Sequence, residues 1–213
     1  MIFSEEMLLE LDEKIKCKIS HYRYIHTLGV KNAAVKIARY CYSGDVSEII
    51  AAAMLHDISK EYSEAEQLDM MKESGIYFTD TDMMSHQVFH SFTAPYVIKK
   101  DFPEFATSNV LSSVFNHTTG AADMSLFDEI IFLADYVEDG RKHQSCITVR
   151  DALYDVFSSA RDMEECIMHL HLATIMALEN TIVGIIKNRN VLNERTVATR
   201  NAFVARVPAP LVD

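Results

Sequence analysis

The stretch AAAMLHDISK, residues 51–60, decides how the chain is read. Its first half is an unbroken apolar, helix-forming run. Its second half brings an imidazole, a carboxylate and an ammonium, His56, Asp57 and Lys60, into one short segment. An imidazole and a carboxylate that close a buried helix cost free energy unless something pairs with them. The dipeptide alone says little: nine His and fifteen Asp in 213 residues give about 0.6 adjacent His–Asp pairs by chance. The partner has to be sought elsewhere in the chain.

Outward from this stretch the sequence reads as helices. Asp45-x-x-Glu48, Ser63-x-x-Glu66 and Asp162-x-x-Glu165 each set a short side-chain acceptor three residues before a Glu, ahead of a helical run. Ser20 opens HYRYIHTLGVKNAAVKIARYC, where Ile25, Leu28, Val35, Ile37, Ala38 and Cys41 recur near one face at the helical period. SLFDEIIFLADYVEDG repeats the pattern with Leu126, Ile130, Leu133, Ala134 and Val137, and Gly140 follows as a stop. A long apolar-rich helix is expected over about residues 163–189. No alternating β-branched run suggests a strand. The expectation is an all-α bundle of about eight to ten helices. One domain would span residues 1–202, and the Pro-containing end, 203–213, would form an irregular tail.

Composition narrows the function. The formal net charge is −11 with no basic stripe, which argues against gripping a nucleic-acid backbone. It leaves room for small phosphate ligands, since a bound divalent cation supplies positive charge locally. The four cysteines, Cys17, Cys41, Cys146 and Cys166, form no C-x-x-C pair, so neither a disulfide framework nor a thiolate zinc site is expected. Cys17, Cys41 and Cys166 read as buried thiols. The acidic N-terminus does not resemble a signal peptide, and no apolar run reads as a membrane span. A cytoplasmic protein without a membrane partner is the expectation.

Order and placement turn the dipeptide into a candidate site. His26 lies in one amphipathic helix, His56-Asp57 closes the next, His86 and His117 follow in separate segments, and Asp135 lies in a third apolar helix. Side chains from different helices of a bundle can converge on an ion, and imidazole with carboxylate suits Fe, Mn or Zn. Arg23, Lys60 and Arg141 can hold flanking phosphates. His86 and His117 remain open as phosphate donors, a leaving-group acid or ligands of a second ion. NHTTG can also be read as a helix terminus with a Gly cap.

The order His26 … His56-Asp57 … Asp135 resembles the H…HD…D signature of the HD-domain metal-dependent phosphohydrolases. RYIHTLGV, AAMLHDISK, SHQ, NHTTG, IIFLADYVEDGR and RTVATRN, running from about residue 20 to 202, are similar to the motifs of a bacterial subfamily, the YqeK-type symmetrical bis(5′-nucleosyl)-tetraphosphatases. That resemblance implies His26, His56, Asp57 and Asp135 as metal ligands. The implied ion is iron(II), with Mn, Zn, Co, Ni or Mg as alternatives, in one copy or two. The implied substrate is diadenosine tetraphosphate or a related dinucleotide, cleaved to two ADP, with Asp57, His86 and His117 at the chemistry. Arg23, Asp57, Lys60, His86, His117, Thr118 and Arg141 would contact the nucleotide, and Thr196, Arg200 and Asn201 would close over it. His86 and His90, four residues apart, could be a metal pair by spacing alone, but His90 falls outside the pattern and reads as structural or peripheral. The competing readings are an HD-type hydrolase of another nucleotide and a non-catalytic nucleotide sensor. A homodimer is compatible with either.

Overall fold

The computed structural model describes residues 2–207. Among these there are eleven α-helices, two short 3₁₀ turns and no strand. The helices are α1 (Glu5–Lys18), α2 (His21–Cys41), α3 (Val46–Leu55), α4 (Glu64–Glu73), α5 (Asp80–Met84), α6 (Phe89–Asp101), α7 (Ser108–Asn116), α8 (Leu126–Val137), α9 (Gln144–Ser159), α10 (Met163–Lys187) and α11 (Glu194–Arg206).

Local chemistry sets most of the starts. The Ser20, Asp45, Ser63, Ser125 and Asp162 side chains each accept a backbone N–H of the first turn. Such caps each contribute about 1 kcal/mol. Ser63–Glu66 closes a reciprocal box, whereas two expected boxes do not form. Glu48 is buried and accepts from Thr107 Oγ1 at 2.6 Å and Asn109 Nδ2 at 3.1 Å. Glu165 instead accepts from the Arg161 backbone N–H at 2.8 Å.

The core is laid between α2, α3, α7 and α8. Ile37, Ile49, Leu55 and Ile130 are completely enclosed there, each contributing on the order of 2 kcal/mol through burial. The inner stripe of α2 is Thr27, Val30, Ala34, Ile37, Ala38 and Cys41. Ile25, expected on that stripe, is 54% exposed, because the small residues set α2 close to its neighbours and rotate Ile25 outward. Helix α1 packs on α3 and α2, α10 packs on α2, α8 and α9, α9 also packs on α8, and α11 packs on α10. A satellite cluster of Met71, Phe89 and Phe92 joins α4 to α6.

Three expectations change at the ends of elements. Helix α11 runs to Arg206, past residue 203 where the irregular tail was expected to begin, because Phe203 is fully buried. The remainder of that tail, residues 208–213, lies outside the described residues. Cys17 is exposed while the other three cysteines are buried. Helix α10, with 25 residues, is long and apolar enough to cross a membrane by length and composition, contrary to the sequence reading. In the fold it packs against α2, α8, α9 and α11.

Candidate functional site

The apolar run of α3 ends at Leu55, and His56 to Tyr62 follow as successive tight turns. The turns start with Ile58 N–H donating to the Leu55 carbonyl and Lys60 N–H to that of Asp57, at 3.1 and 2.9 Å. They bring His56, Asp57 and Lys60 to one centre beside the first half of α2 and the end of α8. The two oxygens of Asp57 face opposite ways. Oδ2 lies 3.7 Å from His26 Nε2 and 3.6 Å from His56 Nε2. Oδ1 lies 3.3 Å from His90 Nε2 and 3.6 Å from His117 Nε2. Asp135 completes the first side, with Oδ1 3.1 Å from His26 Nε2 and 4.0 Å from His56 Nε2.

The other ring nitrogens are already engaged. His56 Nδ1 is 2.7 Å from the Ala53 carbonyl oxygen, and His117 Nδ1 is 2.7 Å from that of Val114. His26 Nδ1 is 3.2 Å from Glu138 Oε1. These acceptors hold the proton on Nδ1 and aim the Nε2 lone pair at the centre. His26 Nε2 and His56 Nε2 are buried without any hydrogen-bond partner. Orphaned imidazole nitrogens facing carboxylates suit a divalent cation, and three overlapping trios have that spacing: His26–His56–Asp57, His56–His117–Asp135 and Asp57–His90–His117.

Charge in the site follows from burial and pairing. Burial opposes ionisation of Asp57, but the surrounding imidazoles and Lys60 outweigh it and hold the carboxyl well below its usual range. Burial likewise opposes ionisation of Asp135, and Arg141 with the histidines outweighs it in the same direction. Burial pushes His56 down to about 4, so it stays neutral. For His26 burial would lower the pKa, yet the adjacent Asp135 and Glu138 carboxylates outweigh it and raise it to about 9, and a cation at the centre would compete with that proton for Nε2.

Three cations rim the centre. Arg23 Nη1 donates to Asp57 Oδ2 at 2.6 Å. Arg141 pairs with Asp135 and also donates from Nε to the Asp135 carbonyl at 2.9 Å. Lys60 Nζ lies 2.9 Å from the His90 ring nitrogens, and its burial lowers its pKa. All three line a cleft of about 680 Å³, together with His26, Asp57, His90, Thr118, Asp135 and Glu138.

The structure gathers His26, His56, Asp57, Asp135, His117, Arg23, Lys60, Thr118 and Arg141, and sets four expected residues apart. His86 is exposed, pairs with Glu64 at 3.1 Å and does not line the cleft. His90, read as structural, takes the central place. The two are four residues apart, but His86 sits in a 3₁₀ turn that precedes α6, so helical face-sharing does not hold between them. Arg200 pairs with Glu179 and donates to Asn201, and both lie on the surface away from the cleft. Thr196 is buried and lines a separate cavity of about 200 Å³, which meets the cleft at Thr118. Helix α11 instead docks on NHTTG. Gly120 takes a left-handed φ of 69°, and a Cβ there would stand 2.5 Å from Thr199 Cγ2.

Two further supports had no distinct sequence signal. Glu138 is buried behind His26, and a Cβ on Gly29 would come within 2.5 Å of its Oε2, so the glycine in RYIHTLGV makes room for that carboxylate. Arg150 on α9 donates to the carbonyls of Val137, Glu138 and Arg141. It thereby braces the turn that carries Glu138 and Arg141.

Comparison with known proteins agrees with this geometry. The HD domain profile matches residues 23–140. A symmetrical bis(5′-nucleosyl)-tetraphosphatase from Halalkalibacterium halodurans is 28% identical over 190 residues, covering 89% of this chain and 93% of the relative. The Bacillus subtilis protein of the same name is 24% identical, covering 90% and 94%. The crystal structure of a predicted HD superfamily hydrolase involved in NAD metabolism from Clostridium acetobutylicum superposes with a TM-score of 0.79 at 26% identity. It covers 96% of this chain and 98% of its own.

Proposed function

The chain belongs to the HD-domain family, and on that footing we propose that it hydrolyses dinucleoside tetraphosphates, diadenosine tetraphosphate foremost, symmetrically to two nucleoside diphosphates. The observation that carries the reading is Asp57. Its two oxygens each face a pair of imidazoles, inside a cleft rimmed by Arg23, Lys60 and Arg141. His26, His56, Asp57 and Asp135 would hold one divalent ion, and Asp57, His90 and His117 a second, with iron(II) as the proposed metal. Bound ions of this kind lower the pKa of water and polarise a phosphoryl group.

The chain's own residues supply the rest. Arg23 and Arg141, which pair with Asp57 and Asp135, would be free to turn to phosphate oxygens where a cation balanced those carboxylates. Lys60 adds a third positive contact at the same wall. Asp57 orients the attacking water. His117 and His90, buried at the opposite side, turn their Nε2 atoms to Asp57 Oδ1 and so serve as ligands there rather than as proton donors. Thr118 joins the cleft to the smaller cavity, whose apolar walls, Val88, Ile185 and Val191, and polar Gln87, Asn190 and Thr181 suit a nucleobase. Symmetric cleavage follows if the centre sits over the middle phosphoanhydride.

The test is product analysis after adding diadenosine tetraphosphate with ferrous ion under anaerobic conditions. ADP as the main product supports the proposal. AMP with ATP, or no turnover with any of several divalent metals, refutes it.

A further inference from the structure

Along the outer wall of the cleft, α2 presents Tyr22, Ile25 and Leu28. Tyr22 is 79% exposed and Ile25 54%. Residues three apart on a helix stand next to one another, so Tyr22 and Ile25 form one apolar step. Arg23, whose guanidinium reaches Asp57, directly follows Tyr22 on the same helix. The rest of that rim is polar: Asn32, Asp139 and Arg141. A solitary exposed aromatic needs no explanation. An aromatic–aliphatic step built onto a cation-lined cleft does.

We propose that Tyr22 and Ile25 are the platform on which the second nucleoside of the substrate stacks. The inference rests on the reading above. A centre that cuts the middle of a tetraphosphate needs one nucleoside on each side of Asp57. The inner side leads past Thr118 into the small nucleobase-sized cavity. The outer side leads over Arg23 to Tyr22 and Ile25, the exposed apolar surface continuous with the phosphate-binding cations. Stacking on Tyr22 takes any base, because every base has a π-face. This platform therefore selects for a second nucleoside rather than for adenine. It makes Tyr22 a specificity-determining residue for dinucleotides against mononucleotides.

The chain contains no tryptophan, so Tyr22→Trp installs a single reporter at the platform. With the metal-loaded protein, diadenosine tetraphosphate is expected to quench its fluorescence, and ADP at concentrations that fill the inner site is expected to quench it far less. In turnover, Tyr22→Ala is expected to lower kcat/KM for diadenosine tetraphosphate by about tenfold, carried by KM. Tyr22→Phe keeps the ring and restores the value, and inhibition by ADP changes little in either variant. Equal quenching by both ligands, no quenching by either, or an unchanged KM in Tyr22→Ala overturns the platform. If the wild-type protein releases no ADP from diadenosine tetraphosphate, the functional reading itself fails, which is a separate outcome.

Discussion

At the residue scale the site turns on the two faces of Asp57 and on what lies behind His26. Asp57→Ala removes the carboxylate shared by the proposed ions. It should abolish metal retention, read by elemental analysis, and reduce turnover about a hundredfold or more. The contrast between His90 and His86 is sharper. His90→Ala should cost activity on a similar scale, while His86→Ala, on the surface beside Glu64, should stay within about twofold of wild type. Comparable losses in the two variants would mean that the cluster is misassigned. Behind His26, Glu138→Ala removes the acceptor that fixes the Nδ1 proton, and Gly29→Ala drives a methyl against the same carboxylate. Both should weaken metal affinity by about 10- to 100-fold, measured by competition with a chelator.

At the element scale the anchor of α11 is the clearest target. Asp82, fully buried on α5, accepts from Arg195 at 2.9 and 3.1 Å and from Asn193 at 3.0 Å. The Arg195 guanidinium also lies 5.5 Å from the Phe92 and Phe115 rings. Asp82→Asn leaves Arg195 without its charge partner and should destabilise by about 3 kcal/mol, read by denaturant unfolding. Burial raises the Asp82 pKa, but these donors outweigh it and the net shift is downward from 3.8. A depressed carboxylate contributes stability that is complete above its unfolded pKa and is lost as pH falls through the folded one. The wild type should therefore lose stability below about pH 4 more steeply than Asp82→Asn. Parallel acid profiles would refute that assignment. The same element shows the limit of motif reading. RTVATRN does form a helix, but packing turns Thr196 and Thr199 inward and leaves Arg200 and Asn201 at the surface.

At the scale of the whole molecule, a metal that binds the folded cluster and not the unfolded chain should stabilise the fold. Saturation at about a hundred times Kd is worth about 2.7 kcal/mol, or about 5 to 10 °C in Tm for a chain of this length, and a chelator should reverse the gain. An unchanged Tm across metals and chelator would count against the centre. Thiol accessibility tests the packing independently. In the native protein Cys17 should react quickly with a thiol reagent, while Cys41, which burial pushes up to about 12, should react only after unfolding, as should Cys146 and Cys166. The helical class, most helix starts and the order of His26, His56-Asp57 and Asp135 were determined by the sequence alone. Caps act over three residues, and apolar periodicity over one or two turns, so both are written locally. Only the tertiary structure decided that His90 rather than His86 faces Asp57, that Glu138 and Arg150 support the site, and that Ile25 points outward. Those outcomes depend on how α6 follows its 3₁₀ turn and how α2 rotates against α3 and α8. Such rotations are set by packing between residues far apart in the chain.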